Sequence, residues 1–306
     1  MNKPFLIVVA GPTASGKTSL SITLARHFQT EILSGDSRQF YRELTIGTAK
    51  PTLQELELVK HHFIDSLTLD EDYNISRFEM DALACLDQLF RKKKVALLCG
   101  GSGLYLQAVC KGMDALPERD PVLRKQLEAE LEKEGISILQ KRIQELDPAY
   151  YAKSDLSNPH RLIRAIEVCL LTGKRYSELR TGTAANRNFN VLKIGLEIDR
   201  ELLYDRINKR VDLMMINGLE EEARSVFHQR HLNALNTVGY KEIFDFFDGK
   251  TDRDTAIAMI KQNTRNYAKR QLTWFKRDPD IHWFPPSGEN DIIRFLEQKL
   301  QVDSNE

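Results

Sequence analysis

Gly11 to Thr18 reads GPTASGKT, the spacing of a phosphate-binding loop: Gly, four residues, then Gly-Lys-Ser/Thr. The flanks agree with it. Phe5-Leu6-Ile7-Val8-Val9-Ala10 is a continuous apolar run, the pattern of a strand buried on both faces. Ser19 to Phe28 has helical spacing, with Leu20, Leu24 and Ala25 on one side. A strand, a Gly-rich turn and a helix N-terminus in that order make an anion site. The first N–H groups of the helix lack partners, and its dipole adds positive potential. Gly11, Pro12, Thr13, Ala14, Ser15 and Gly16 supply the backbone of this site. Lys17 supplies a mobile cation, and Thr18 a hydroxyl able to ligate Mg²⁺ carried by the phosphates. The loop implies a phosphate chain. It leaves the compound and the reaction open.

Outward from the loop, the chain has 306 residues, room for one large domain or two small ones. It is 42% hydrophobic and 29% charged, as an ordinary globular protein is. Formal net charge is zero, so any nucleic-acid footprint must be local. Cys85, Cys99, Cys110 and Cys169 form no C-x-x-C pair and read as reduced thiols. No apolar run approaches the roughly 20 residues of a membrane span. The N-terminus enters a core strand with no signal peptide, so a cytoplasmic location and no membrane partner are expected.

Further strands are expected at Glu31–Ser34, His61–Asp65 and Val95–Cys99, with a helix over Ile75–Lys94 and another from Leu104. This alternation predicts an α/β fold: a P-loop NTPase-like core with a mostly parallel sheet, its active crevice at the carboxyl ends of the strands. From Asp120 to about Gly182 every segment reads as helix: Val122–Lys133, Ile136–Glu145 and Pro159–Leu171, with Gly173 as a stop. Val191–Ile198 then resumes the strand pattern. The expected organisation is a catalytic core over 1–117 and 191–306, interrupted by an all-helical insertion over 118–190. The C-terminal third predicts helices at Arg200–Ile216, Leu219–Gln229, Gly239–Phe247, Thr255–Lys276 and Asp291–Leu300, with a last strand at Ile281–Phe284. The polar tail is expected to fray.

Asp36 follows the second strand and should project into the crevice beside the loop. There a carboxylate can hold Mg²⁺ through water or act as a base. ATP-hydrolysing relatives of the loop need an acid ending an apolar strand, yet Val95–Cys99 runs into Gly-Gly-Ser-Gly. That counts against an ATP motor and leaves a small-molecule kinase open. His61 and His62 are neighbours on a strand, face opposite ways, and make a poor pair of metal ligands. Two stretches are basic. Between Lys261 and Arg277, Lys261, Arg265 and Lys269 share a helix face, followed by Arg270, Lys276 and Arg277 and interleaved with Tyr267, Trp274 and Phe275. From Asn158 to Arg187, Arg161, Arg164, Lys174, Arg175, Arg180 and Arg187 outnumber Glu167 and Glu178. Two such patches in a neutral protein suit a polyanion, although a solvated helix face is the ordinary alternative for each.

Nearly end to end, the sequence resembles the tRNA dimethylallyltransferases, also called tRNA isopentenyltransferases, of bacterial type. The resemblance rests on an ordered set: GPTASGKT, then DSRQ (Asp36–Gln39), IGTAKP (Ile46–Pro51), GGSGLYL (Gly100–Leu106) and NPHRLIRAIEV (Asn158–Val168). RVDLMMINGLEEEA (Arg210–Ala223), TVGYKE (Thr237–Glu242) and AKRQLTWFKRD (Ala268–Asp278) complete it. It implies transfer of a dimethylallyl group from dimethylallyl diphosphate to N6 of the adenosine 3′ to the anticodon in tRNA. The phosphate loop would then hold a diphosphate that leaves rather than one that is split. Loop residues Gly11 to Thr18 and Arg210 would bind it with Mg²⁺, held by Thr18 and by Asp36 through water. Asp36 would take the N6 proton. Ser102, where relatives carry Thr, would hydrogen-bond the leaving oxygen.

The resemblance also assigns tRNA contacts to Asp36, Ser37, Arg38 and Gln39, to Ser102, and to Arg124. In the insertion it adds His160 (Gln in relatives), Arg161, Leu162, Ile163 and Arg164. Thr237, Val238, Gly239, Tyr240, Lys241 and Glu242 follow, then Lys269, Arg270, Gln271, Trp274, Lys276 and Arg277. The target base would be swung out of its loop, and the insertion would grip the anticodon stem-loop. A monomer is expected. The alternatives are an isopentenyltransferase acting on free adenine nucleotides, an ATP-dependent small-molecule kinase, and a non-catalytic RNA-binding protein.

Overall fold

A computed structural model describes residues 3–302; the tail from 303 on, expected to fray, lies outside the described residues. The chain divides into two compact units. One runs up to Cys110 and resumes at Arg187; the other is Lys111–Asn186.

The first unit is an α/β layer structure. Strands β1 (Phe5–Ala10), β2 (Ile32–Ser34), β3 (His61–His62) and β4 (Val95–Gly100) alternate with α1 (Lys17–His27), α2 (Leu53–Leu58), α3 (Ile75–Phe90) and α4 (Gly103–Lys111). After the helical unit, β5 (Asn190–Leu196) and β6 (Ile281–Phe284) complete a six-stranded sheet of order β3-β2-β4-β1-β5-β6. All its pairings are parallel. The apolar runs explain the burial. Leu6, Val8 and Ala10 of β1 join one core, while Phe5, Ile7 and Val9 join the other, on opposite faces of the sheet. A strand with helices over both faces has no use for polar residues, and β1 has none.

Two helices and a strand differ from expectation. The short α2 was not foreseen, although its signal is in the sequence. Thr52 and Glu55 form a reciprocal capping box, with Thr52 N–H to Glu55 Oε2 at 2.8 Å and Glu55 N–H to Thr52 Oγ1 at 3.2 Å. The strand expected over 61–65 is only His61–His62, because Phe63 and Asp65 take positive φ. His62 bonds Glu31 at 2.6 Å and His61 bonds the Val59 carbonyl at 2.8 Å, so each ring is occupied locally. The helix expected over 219–229 ends at Val226 and continues as a 3₁₀ turn.

The helical unit holds α5 (Pro121–Glu134), α6 (Ile136–Leu146), α7 (Pro148–Tyr151), α8 (Pro159–Thr172) and α9 (Tyr176–Leu179). Pro begins α5, α7 and α8, each behind an Asp or Asn that caps the helix start. Leu127, Leu139, Ile143, Leu162, Ile163 and Ile166 form its own core. Its boundary falls earlier than the change in residue character near Pro117. Segment 111–117 is tied to the unit's far end by Ala185 N–H to Lys111 O (2.7 Å) and Gly182 N–H to Asp114 (2.9 Å).

The remaining helices of the first unit are α10 (Arg200–Ile216), α11 (Leu219–Val226), α12 (Tyr240–Phe247), α13 (Arg253–Phe275) and α14 (Glu289–Val302). No helix among the described residues is long and apolar enough to cross a membrane.

One close approach sets the site. At the carboxyl end of the sheet, Gly35 N–H donates to Cys99 O at 2.7 Å, and a Cβ on Gly100 would lie 2.6 Å from Gly35 O. The β2 and β4 ends touch backbone to backbone, and Asp36 leaves from that contact. Gly100→Ala is therefore expected to wedge the strands apart and cost about 2 kcal/mol in denaturant unfolding. An unchanged midpoint would show that the strands separate freely.

Candidate active site

The carboxyl ends of β1, β2 and β4 open into a cleft of about 830 Å³. Thr13–Thr18 without Ser15, Asp36–Gln39 and Gly100–Gly101 line it, with Arg210 from α10, Thr237–Gly239, and Tyr267, Arg270 and Gln271 from α13. Position 16 requires Gly, because φ is +98° at the N-cap of α1. Ala14 also sits in the left-handed region, at φ +64°. A non-Gly residue there marks a backbone held against its preference. The holding bonds are visible. Ser15 Oγ donates to Pro12 O at 2.9 Å, and Lys17 Nζ to the same carbonyl at 2.6 Å. Thr13 N–H donates to Gln271 Oε1 at 2.8 Å, and the Thr13 hydroxyl accepts from Arg210 at 3.3 Å.

The charges here are strained by their surroundings. Burial pushes the Lys17 ammonium down to about 8, with Arg210 adding to the effect and Cys99 and Asp36 opposing it. Burial also lowers Arg210 from its ordinary value. Burial raises the Asp36 carboxyl above the usual carboxylate range, against the Arg38 N–H bond and the Lys17 charge. Asp36 Oδ1 accepts that Arg38 N–H at 3.0 Å, and the residue lines the cleft. A poised carboxylate and a poised ammonium within mutual electrostatic reach suit proton transfer beside an anion.

Ser102 contacts the residue that follows Asp36. Its Oγ accepts from Ser37 N–H at 3.3 Å and lies 3.4 Å from Ser37 Oγ. Tyr267 completes this corner and was not singled out as a site residue in the sequence. Burial and the nearby Asp36 push its hydroxyl up to about 12, despite a hydrogen bond with Ser102. In the sequence it is one aromatic within a basic helix, and nothing local marks it.

Several residues expected to contact tRNA are buried or already paired within the fold. Leu162 and Ile163 are fully buried in the helical unit's core, because α8 turns its apolar face inward. Arg164 donates to Glu167 and to Pro117 O, both at 2.7 Å, and Arg124 lies 3.7 Å from the same buried Glu167. Tyr240 is fully buried. Glu242 is 5% exposed and accepts from Gly239 N–H (2.8 Å) and Asn263 (2.7 Å). Gln271 is 6% exposed, with its amide N–H donating to Gly101 O at 3.0 Å. It joins the phosphate loop to the Gly-Gly-Ser turn.

The basic stretches are also smaller than their composition. Lys261 pairs with Asp212 at 2.6 Å and Arg265 with Asn208 at 2.7 Å, both on α10. Lys276 pairs with Glu197 at 2.9 Å. Arg187 belongs to the α/β unit, paired with Glu79 at 2.6 Å. Lys269, Arg270, Trp274 and Arg277 at the end of α13 are exposed, as are His160 and Arg161 in the helical unit. Trp274 lies on the turn at Gly103, where a Cβ would stand 2.2 Å from its ring nitrogen.

Residues 39–278 match the family model described as IPP transferase. A curated relative from Christiangramia forsetii, "tRNA dimethylallyltransferase", is 54% identical over 97% of this chain and 99% of its own. "tRNA dimethylallyltransferase 1" of Bacteroides fragilis is 49% identical over 98% of this chain and 100% of its own. Among solved structures, a full-length tRNA isopentenylpyrophosphate transferase from Bacillus halodurans superposes with TM-score 0.75 at 35% identity, over 99% of both chains. A eukaryotic dimethylallyltransferase acting on tRNA superposes with TM-score 0.78 at 28% identity, over 92% of this chain and 74% of that one.

The Lys17 shift predicts a pH dependence. An anion needs the ammonium form, and in the free protein that form is lost above about 8. Binding of inorganic pyrophosphate, followed by calorimetry, should weaken by about tenfold per unit above that pH in wild type. It should weaken far less in Lys17→Arg, whose charge persists. Equal slopes in both proteins would remove Lys17 from the anion site.

Proposed function

The chain belongs to the IPP transferase family, and from that premise we propose how its cleft carries out the transfer. It moves the dimethylallyl group of dimethylallyl diphosphate to N6 of the adenosine 3′ to the anticodon in tRNA, releasing diphosphate. The N6 nitrogen forms a bond to the first carbon of the dimethylallyl group as that carbon's bond to oxygen breaks. The electron pair leaves with the diphosphate, and the N6 proton goes to Asp36. The observation that carries this reading is the cleft shared by Lys17, on the phosphate loop, and Asp36, each within the other's electrostatic reach.

The roles follow from position. Loop amides, Lys17 and Arg210 receive the diphosphate and stabilise the charge that grows as it departs. Ser102, whose oxygen accepts the Ser37 N–H, retains a proton to donate toward the leaving oxygen. Asp36, raised by burial, is a better proton acceptor than an ordinary surface carboxylate. Tyr267 at the same corner offers an aromatic face and a hydroxyl to the incoming adenine.

The residues also fit Mg²⁺. The ion takes hard oxygen ligands, keeps several waters, and uses one or two protein groups besides phosphates. Thr18 and Asp36 both line the cleft and offer such oxygens, and no cluster of three or more His, Cys, Asp or Glu among the described residues forms a dedicated cage. Thr18 would hold the ion directly and Asp36 through water; when bound it neutralises diphosphate charge.

The tRNA is met by the exposed end of α13, Lys269, Arg270, Trp274 and Arg277, by Arg38 near Asp36, and by His160 and Arg161 of the helical unit. That unit grips the anticodon stem-loop. A tRNA substrate supports a cytoplasmic location.

With labelled dimethylallyl diphosphate and Mg²⁺, label should enter unmodified tRNA and not AMP or ADP. Label on free nucleotides alone would overturn the reading. Asp36→Asn should lower kcat by roughly 10²-fold or more while tRNA affinity holds. A fall in affinity with unchanged turnover of bound tRNA would remove Asp36 as the base. Lys269→Ala with Arg270→Ala should weaken tRNA binding and flatten its salt dependence by about one to two units of slope. An unchanged slope would exclude phosphate contacts at both.

A further inference from the structure

Glu222 sits in the first turn of α11, in an acidic run, Glu220-Glu221-Glu222, suited to a helix dipole. Such a residue is ordinarily fully solvated, but this one is half-buried and both its oxygens are engaged. Its Oε2 accepts from Thr45 N–H and Ile46 N–H, both at 2.8 Å. Its Oε1 accepts from Gly47 N–H at 2.9 Å and from the Tyr240 hydroxyl at 2.6 Å. One carboxylate thus gathers a three-residue run of backbone donors and a buried phenol. It ties α11, the 45–49 turn and the start of α12 to one point.

The turn is built for this. A Cβ on Gly47 would lie 2.7 Å from the Tyr240 ring, so only Gly lets the hydroxyl reach the carboxylate. Burial and the adjacent Glu222 hold the Tyr240 hydroxyl above its ordinary value, so it remains a donor at working pH.

The far side of the same turn meets Gln39. The Thr48 and Ala49 carbonyls accept from the Gln39 amide at 3.3 and 3.2 Å. Gln39 Oε1 accepts from Ser34 Oγ at 3.2 Å, and Ser34 Oγ accepts from Asp36 N–H at 3.4 Å. A continuous path of hydrogen bonds runs from Glu222 to the backbone of Asp36. None of it touches the phosphate loop.

We infer that Glu222 is a positioning residue for the transfer: through the 45–49 turn and Gln39 it fixes the wall that carries Asp36. A neutral amide cannot replace it. Glu222→Gln puts N–H groups against backbone N–H donors: the Thr45 and Ile46 bonds are lost if the amide nitrogen takes the Oε2 place, and the Gly47 bond is lost if it takes the Oε1 place, where the Tyr240 hydroxyl must turn from donor to acceptor. The inference rests on Asp36 as the proton acceptor.

The test compares wild type, Glu222→Gln, Tyr240→Phe and Asp36→Asn with saturating tRNA and varied dimethylallyl diphosphate, and measures inorganic pyrophosphate affinity on each. Glu222→Gln should lower kcat by roughly tenfold or more, with pyrophosphate Kd and the KM for dimethylallyl diphosphate within about twofold of wild type. Tyr240→Phe, which removes one donor and keeps the fold, should lower kcat by about threefold with the same split. It carries the test if Glu222→Gln shows no cooperative melt. Wild-type turnover in both variants while Asp36→Asn is inactive would overturn the inference and leave the base assignment standing. An equal loss of kcat and pyrophosphate affinity would reduce Glu222 to general scaffolding, and also overturn it. Turnover surviving in Asp36→Asn would remove the base assignment and the inference together.

Discussion

The cleft keeps an ammonium, a carboxylate and a set of inward-facing amides partly out of water. Burial pulls Lys17 down and pushes Asp36 up for the same reason: each charged form has lost solvation that nothing in the protein fully replaces. This is the cost of a site complementary to a diphosphate and a proton, and the surrounding structure has to offset it. A less rigid frame would let Lys17 reach water and let the loop relax from the left-handed conformation at Ala14.

Rigidity comes from a few buried or half-buried polar groups that each join distant segments. Gln271 ties the phosphate loop to the Gly-Gly-Ser turn across 258 and 170 residues of sequence. Glu222 ties the 45–49 turn to α11 and α12. In the helical unit, Glu167 is fully buried and accepts from Asp120 N–H and Arg164. Each is nearly saturated with partners, which is what makes burying it tolerable. Apolar packing builds the sheet and its helices, and these hubs fix how the loops between them stand.

Much of this was legible in the sequence where chemistry is local. GPTASGKT announced a strand, a turn and a helix because the Gly positions and the apolar run obey local rules. Pro121, Pro148 and Pro159 behind their Asp or Asn caps mark helix starts in the same way. The capping box at Thr52 and Glu55 was equally readable, yet the surrounding loop character hid it. Basic composition misled where partners are distant in sequence. Lys261 and Arg265 look like a free cationic face until α10 supplies Asp212 and Asn208. Leu162 and Ile163 lie in a motif that names tRNA, but their apolar side chains serve the core.

By itself, the sequence determined the α/β class, the anion-binding loop, the helical segment, Lys17 and Asp36 as reactive candidates, and the family resemblance. All depend on residue type and short spacing. Only the tertiary structure decided which polar residues face the cleft and which hold it up. Gln271, Glu242 and Tyr240 are buried and bonded within the fold, Glu222 gathers four donors at a helix start, and Tyr267 stands at the corner with Ser102. Burial and hydrogen-bond partners are properties of segments brought together across the chain, and no local pattern of residues carries them.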